Sequence, residues 1–344
     1  MATLEAPLCV PPVQPARQLV GANGFFHLTM SVLSAALLAS AGIALWGFNY
    51  RLPSSLADIY TFCFALGLAA AYCRWAKFDR LFQSCLLVLW SCVLSALLKF
   101  PMYLAARYRT PLQDHALARI DHDLGFDAIA IVHWMAPHPW LRIFFTLSYG
   151  ALFPLMVLGA LLPAVRYRFQ AVKELIVATS FATIVGAVLF RFIPAIGPWA
   201  VYGYAPSAPQ LRCQELLLTL RTGNVHTLDL NESGIVCFPS FHSLLAVVSC
   251  VALWSIKPLR IPAAILATCI VLSTLTTGWH YLVDVIGGLL LTVLSIAVAR
   301  AFTAVERRIE QRANPAWPAR ARALHKLASL RLDARVDRAM IPPR

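Results

Sequence analysis

The chain has 344 residues, of which 59% are hydrophobic and only 13% are charged. Soluble domains carry roughly 25% charged residues, so this composition excludes a soluble globular protein and predicts an all-α polytopic membrane protein. The net charge of +13 does not indicate nucleic-acid binding, because the basic residues lie between the apolar runs and in the C-terminal tail. The predicted partner is the bilayer and not a nucleic acid.

Three parts follow one another along the chain. Residues 1–26 are polar and contain several prolines, and we predict a disordered cytoplasmic segment there. Residues 27–303 are predicted to form one transmembrane domain, and residues 304–344 a basic cytoplasmic tail. The apolar runs predict eight transmembrane helices, at about His27–Phe48, Leu56–Ala76, Leu81–Leu104, Leu141–Leu162, Leu175–Ile193, Ser240–Ile256, Ile261–Trp279 and Leu282–Phe302.

The charges of the loops predict the orientation of these helices. Lysine and arginine outnumber the acidic residues in the loops at 74–80, 166–174 and 257–260, and again in the tail. The alternate loops, at 107–140 and 194–238, carry a slight acidic excess. Because positive loops face the cytoplasm, we predict an integral membrane protein with both termini inside. The two acidic loops are then predicted to face the outside or the lumen.

The outer segment Leu117–Pro137 is too polar to span a membrane, and we predict an amphipathic helix on the outer interface. Four histidines lie in or beside it, at His115, His122, His133 and His138. Their irregular spacing and the absence of a matched acidic set do not indicate a metal site. No metal and no cofactor are predicted for this chain.

The cysteines fall into two groups. Most of the nine lie in apolar runs, where they are predicted to act as small hydrophobic residues. Cys213 and Cys237 instead share one polar loop, which the predicted orientation places on the oxidising side of the membrane. We therefore predict a disulfide between them, and closing a loop of this length stabilises a fold by roughly 3 kcal/mol.

The sequence Pro239-Ser240-Phe241-His242 precedes a long apolar run. Proline followed by serine is typical of a helix start, with the Ser240 hydroxyl capping the first turn. A helix N-terminus in an apolar setting favours anions, because its N–H groups and its dipole both attract negative charge. His242 lies in that first turn, so a bound anion would lie beside an imidazole.

A second polar cluster follows one helical hairpin later, at His280 and Asp284. Two antiparallel helices joined by the basic turn at 257–260 would return His280 to the side of the membrane on which His242 lies. His280 and Asp284 are four residues apart, so on a helix they share a face, and the carboxylate can fix the tautomer of the imidazole. Ionisable groups that border membrane spans are usually functional.

These motifs resemble those of a known family. Pro-Ser-x-His, followed by Ser-x6-His-x3-Asp from Ser273 to Asp284, resembles the type 2 phosphatidic acid phosphatase superfamily. The closer resemblance is to its inositol phosphorylceramide synthase-like branch, because the third motif begins Ser273-Thr274 where the lipid phosphatases have Ser-Arg. The family's first motif, a lysine–arginine-proline pattern, is absent from this chain. Residues 191–199 stand in its place and are similar to the branch's proline-rich, tryptophan-containing segment. The resemblance covers about residues 121–300 and implies a six-helix phosphatase-type core at about 81–303.

The resemblance implies phosphoryl transfer. His280 would be the nucleophile and would form a phosphohistidine, Asp284 would orient and polarise it, and His242 would protonate the departing alcohol. Ser240 and the N–H groups that begin its helix would bind phosphate oxygens. Arg191 is the candidate for the positive charge that the absent motif arginines would supply, although its side chain could instead extend along apolar surface towards water.

The predicted substrate is a phosphorylated membrane lipid, because the site opens among apolar spans. Trp199, Tyr202 and Tyr204 either line a headgroup pocket or belong to an aromatic belt at the interface. Water as acceptor would make the protein a lipid phosphatase, and a polyol or lipid alcohol would make it a phosphotransferase. One such alternative is an inositol-phosphate transferase with a sphingolipid- or glycerolipid-linked product. Another alternative is a non-catalytic transporter or scaffold of the same fold.

Overall fold

The computed structural model describes residues 24–47, 57–223 and 234–313. These residues contain helices and no strand, which confirms the all-α prediction. The α-helices are α1 (Gly24–Gly42), α2 (Ala57–Trp75), α3 (Asp79–Leu97), α4 (Lys99–Arg107), α5 (Asp114–Asp123), α6 (Ala128–Met135), α7 (Pro139–Gly150), α8 (Leu152–Val165), α9 (Phe169–Phe192), α10 (Trp199–Tyr202), α11 (Ala208–Thr222), α12 (Phe241–Leu253), α13 (Arg260–Thr276) and α14 (Leu282–Ala313).

The predicted terminal segments overlap the described residues only in part. Residues 24–26, which were predicted to be disordered, belong to α1. The last helix, α14, continues to Ala313 and so extends beyond the predicted end of its span at Phe302. The rest of the predicted N-terminal segment and of the basic tail lies outside the described residues.

Six helical stretches within the described ranges are long and apolar enough to cross a membrane. They are Gly24–Trp46, Asp79–Arg107, Pro139–Val165, Phe169–Phe192, Lys257–Thr276 and Leu282–Arg312. Two of the eight predicted spans are not among them. The predicted span Leu56–Ala76 corresponds to α2, which carries the charged residues Asp58 and Arg74, and the predicted span Ser240–Ile256 corresponds to α12. A polytopic helical membrane protein is confirmed, with six spans supported by length and composition.

The short helix α12 lies inside the bundle. It packs against α8, α9, α13 and α14, and none of its residues is exposed. Its 13 residues extend about 20 Å, which is less than the roughly 30 Å of a hydrocarbon core. A helix that is apolar on every face is typically buried, and hydropathy alone does not distinguish it from a span. The longer helices therefore surround α12 and position its first turn.

The start of α14 closely approaches the start of α12. A Cβ atom at Gly288 would lie 2.4 Å from the backbone oxygen of Ser240, and one at Gly287 would lie 2.8 Å from the ring of Phe238. Such distances are too short for any side chain, so the approach at Gly288 requires glycine. Gly287 and Gly288 therefore form a close packing point between α14 and the segment that begins α12.

A buried ion pair joins α9 to α14. Lys173 Nζ lies 2.7 Å from Glu306 Oε1, and the two side chains are only 8% and 3% exposed. Lys173 Nζ also lies 5.3 Å from the centre of the Phe26 ring on α1. Because each charge has lost most of its water, each depends on its partner for compensation. The pair therefore ties together helices that are distant in sequence.

The outer segment predicted as one amphipathic helix over Leu117–Pro137 is two helices, α5 and α6. The chain turns between them at Gly125, whose φ is +75°, a conformation that glycine adopts without strain. Asp127 then caps α6, where its carboxylate accepts from the Ala130 N–H at 2.9 Å. Leu117 and Asp121 on α5 are buried, so α5 packs on the protein and does not lie wholly on the interface.

Candidate active site

The Pro-Ser-x-His segment forms the predicted helix start. The hydroxyl of Ser240 accepts from the Ser243 N–H at 3.4 Å and lies 3.1 Å from the Ser243 hydroxyl, which confirms the predicted N-cap. Ser240 is fully buried. Its own N–H donates to the backbone oxygen of Asp284 at 2.9 Å. That bond links the start of α12 directly to the first turn of α14.

His280 and Asp284 are close together, but the local structure that brings them together differs from the predicted one. His280 lies in the turn before α14 and not on a helix, whereas Asp284 lies in the first turn of α14. Asp284 Oδ2 accepts from the Tyr281 N–H at 2.8 Å, as the third residue of a capping box reaches back to the residue before the helix. The prediction that both residues lie on one face of a helix was wrong, but the predicted proximity of their side chains is confirmed.

One ring nitrogen of His280 faces both acceptors. Nδ1 lies 3.0 Å from the backbone oxygen of Cys237 and 3.4 Å from Asp284 Oδ2. Because a carbonyl oxygen can only accept, Nδ1 carries the proton in this arrangement. Nε2 of the neutral imidazole then has a free lone pair. His280 is 4% exposed and Asp284 is fully buried, so their interaction is little weakened by water.

His242 lies opposite this pair, in the first turn of α12. The ring centres of His242 and His280 are 6.1 Å apart, so the hairpin brings the two histidines together as predicted. The ring of Tyr149, at the end of α7, stacks on His242 with 3.9 Å between centres and an angle of 18°. Tyr149 also stacks on Trp279 at 5.2 Å. Sequence reasoning missed Tyr149, because no spacing relates it to the motifs.

Two buried aspartates of the acidic loop at 107–140, Asp114 and Asp121, support the site. Asp114 accepts from the N–H groups of Ile196 and Gly197 at 2.9–3.1 Å and from the Tyr281 hydroxyl at 3.2 Å. It therefore holds the proline-rich segment after α9 against the turn that contains His280.

Asp121 caps the start of α14. Its two carboxylate oxygens accept from the Leu282 N–H at 2.7 Å and the Val283 N–H at 2.9 Å. A carboxylate at a helix N-terminus also offsets the helix dipole. Burial raises the pKa of Asp121, while these two hydrogen bonds act to lower it. Asp114 and Asp121 are seven residues apart on a helical segment, which places both on one face. This spacing is the feature of the sequence that could have identified them as a pair.

The remaining predicted residues lie around the site in different ways. Arg191 donates to the Thr110 hydroxyl and its guanidinium lies 3.9 Å from the centre of the Tyr108 ring. Among its contacts with described residues, none involves the histidines. The structure therefore gives no direct support to Arg191 as a phosphate ligand.

The three predicted aromatic residues also differ in their contacts. Trp199 is buried, donates to Gln214 Oε1 at 2.7 Å and lies edge-on to Trp279, so it does not belong to an interfacial belt. The Tyr204 hydroxyl donates to the Gly278 backbone oxygen at 2.6 Å and steadies the turn before His280. Tyr202 lies 6.2 Å from the ring of Tyr281.

Cys237 contacts the site directly, and the predicted disulfide with Cys213 is not formed. Its Sγ lies 3.0 Å from Asp284 Oδ2, so the thiol donates to the carboxylate. Burial, followed by the charge of Asp284, raises the pKa of this thiol well above its usual value. The ligand atoms of Cys237, His280 and Asp284 all lie within 4.8 Å of one another, and within the described ranges this is the one such group of potential metal ligands.

The fold and this cluster define a polytopic membrane protein with a His–His–Asp site at the helix ends. A family model of the PAP2 superfamily matches residues 115–298, a range that contains both histidines and Asp284, and the chain belongs to this superfamily. It is the superfamily of type 2 phosphatidic acid phosphatases that the motifs resemble. Membership supports a membrane enzyme of the lipid phosphatase type. Comparisons with curated proteins and with solved structures gave no match.

Proposed function

We propose that this protein transfers the phosphoryl group of a membrane lipid phosphate through a phosphohistidine on His280. The observation that carries the proposal is the arrangement around that ring. Nδ1 is engaged by Cys237 O and lies near Asp284, so Nε2 is the nitrogen that is left to attack phosphorus. The ring of His242 lies 6.1 Å away, where it can serve the leaving group.

Each step of the proposed reaction uses a named group. Nε2 of His280 attacks phosphorus while the bond from phosphorus to the lipid alcohol breaks, and His242 gives the departing oxygen a proton. Asp284 stabilises the positive charge that develops on the imidazole. The acceptor then attacks the phosphohistidine, and His242 takes its proton.

The phosphate oxygens are assigned to the start of α12. Ser240 is the buried N-cap of α12, and the N–H groups of a first helical turn can stabilise phosphate without a protein cation. Arg191 stays a candidate for the missing positive charge, but it would have to leave Thr110 and Tyr108 to reach the phosphate.

We further propose that the site faces the outside or the lumen. The support is the charge asymmetry of the loops, since the basic turn at 257–260 lies at the other end of α13 from His280. The expected substrate is therefore a phosphorylated lipid of the outer leaflet. Both termini would then be cytoplasmic.

The acceptor is the second part of the proposal. The sequence Ser273-Thr274 favours the inositol phosphorylceramide synthase-like branch and hence an inositol-phosphate transferase as the second candidate. Both residues are buried, and the Thr274 oxygen accepts from the N–H groups of Trp279 and His280. They therefore shape the turn that presents His280, whichever acceptor is used.

One assay with purified protein tests both candidates. The protein is incubated with a lipid phosphate, or with a phosphoinositol lipid donor, in the presence and absence of a polyol or lipid alcohol. We expect free phosphate if water is the acceptor and a labelled transfer product if the alcohol is. If neither product forms with any donor, the result would favour a non-catalytic protein of this fold and would contradict the proposal.

His242→Ala is expected to impair lipid phosphates far more than aryl phosphates. A lipid alkoxide needs a proton in order to depart, whereas an aryl oxide leaves readily without one, and general acids typically contribute 10²–10⁴-fold. We expect a loss of about that size on the lipid donor and a much smaller loss on the aryl donor. Turnover of both donors by the variant and the wild type measures this, and an equal loss on both would remove the assigned role of His242 as acid.

A further inference from the structure

The side chains of Cys237, His280 and Asp284 place three potential metal-ligand atoms at distances suited to a single ion. Sγ to Oδ2 is 3.0 Å, Nδ1 to Oδ2 is 3.4 Å, and all three atoms lie within 4.8 Å of one another. Zinc binds sulfur at about 2.3 Å and nitrogen or oxygen at about 2.0–2.2 Å. Ligand atoms at the corners of such a tetrahedron are separated by about 3.3–3.6 Å, so the Nδ1–Oδ2 distance already fits and Sγ would have to move away from Oδ2 by about 0.5 Å.

A second observation concerns the other oxygen of the carboxylate. Asp284 Oδ1 is buried and has no hydrogen-bond partner among the described residues. A buried carboxylate oxygen without a donor is costly, and a cation bound to Oδ2 of the same carboxylate would offset part of that cost. Asp284 is fully buried, so bulk water does not supply the hydrogen bond that Oδ1 lacks.

The chemistry of the three ligands selects the kind of cation. Sulfur, imidazole nitrogen and one carboxylate suit zinc and cadmium, whereas magnesium and calcium prefer ligands that are all oxygen. One thiolate and one carboxylate also neutralise a divalent cation, so the filled site would carry no net charge in its buried setting. A water molecule would complete the tetrahedron.

We propose that these three side chains form an inhibitory site for a thiophilic divalent cation. On binding, the Cys237 thiol loses its proton to solvent, and the proton on Nδ1 of His280 moves to Nε2, because the ion needs the Nδ1 lone pair. An Nε2 that carries a proton has no lone pair with which to attack phosphorus. The bound ion and the phosphohistidine therefore exclude each other. Binding itself does not depend on the proposed function, and only the inhibition rests on it.

Cadmium binding to the purified full-length protein tests the site without any activity assay. We expect one tightly bound cadmium per chain by elemental analysis, with the ultraviolet charge-transfer band of a cadmium–thiolate bond. Cys237→Ser should lose the band and weaken binding by about tenfold or more, because the soft ligand is gone. Its hydroxyl can still donate to Asp284, which protects the fold. Cys269→Ser, on the membrane helix α13, is the matched control and should bind like the wild type.

Inhibition is then measured as the turnover of each variant with added cadmium or zinc, relative to the turnover of the same variant without metal. The concentration of cadmium or zinc that halves turnover should rise by about tenfold or more in Cys237→Ser and stay unchanged in Cys269→Ser. Unchanged binding and inhibition in Cys237→Ser would overturn the proposal. If the metal-free protein shows no turnover, the proposed function fails, while cadmium binding still decides whether the site exists.

Discussion

Replacing His280 with alanine should abolish turnover of a lipid phosphate, while Asp284→Asn should leave a measurable residual rate. Alanine removes the imidazole nitrogen that is proposed to attack phosphorus. The asparagine variant keeps the imidazole but loses the negative charge that supports it. In a Ser-His-Asp triad the equivalent change costs roughly 10⁴-fold. We expect a smaller loss here, because the Cys237 oxygen still accepts from Nδ1.

The measurement is turnover of one lipid donor by purified variants of matched helical content. His122→Ala is the control, because His122 is exposed in the outer segment and its side chain is 90% exposed. It should retain the wild-type rate. A wild-type rate in His280→Ala would end the proposed mechanism, and a complete loss in Asp284→Asn would show that the carboxylate has a larger role than orientation and charge.

Breaking the buried pair between Lys173 and Glu306 should have the largest expected effect on stability. Removing Lys173 leaves the buried Glu306 carboxylate without the ammonium that lies 2.7 Å away, which costs roughly 3–5 kcal/mol. Lys173→Met is therefore expected to lower the free energy of unfolding strongly, and Glu306→Gln should change it in the same direction. Replacing both residues together with apolar ones should recover most of the loss, because a packed apolar pair avoids the cost of burying charge.

Unfolding in detergent micelles measures these differences. The longer pair of Arg74 and Asp79, with 3.7 Å between the charged atoms and 45% of the Arg74 side chain exposed, provides the control. Arg74→Met should cost only about 0–1 kcal/mol, because water reaches the arginine and screens its charge. Equal losses at the two pairs would contradict the view that burial makes the Lys173–Glu306 contact different.

Much of the fold could be predicted from the sequence, because an apolar run long enough to cross a bilayer is expected to form a helix. Every predicted span is helical in the described residues, since a chain in a bilayer must satisfy its backbone hydrogen bonds internally. Two of the predicted spans are not among the six that length and composition support, because α2 carries Asp58 and Arg74 and α12 has only 13 residues. It is enclosed by other helices, and hydropathy responds in the same way to protein neighbours and to lipid.

The proximity of His242 and His280 could be predicted because it depends on local features. The N-cap at Ser240 and the lengths of α12 and α13 are enough to bring His242 and His280 together. The spacing of Asp114 and Asp121 indicates a shared helical face, but it does not identify their partners, which lie more than 80 positions away in sequence, at Gly197 and at Leu282. Charge patterning identified these carboxylates only as members of an acidic loop.

The disulfide prediction failed for a related reason. Compartment and loop length allow a bond between Cys213 and Cys237, but they do not say where each side chain points. In the structure the thiol of Cys237 points to Asp284. A partner 47 positions away replaced the one that the loop suggested.

Trapping the phosphoenzyme tests the central claim most directly. Wild-type protein is incubated briefly with a lipid donor that carries radiolabelled phosphate, quenched under alkaline conditions that preserve phosphohistidine, and digested for peptide mapping. The account predicts an acid-labile label on His280, which should be absent from His280→Ala and present in His122→Ala. Label on another residue, or turnover by the wild type with no trapped label at all, would contradict it.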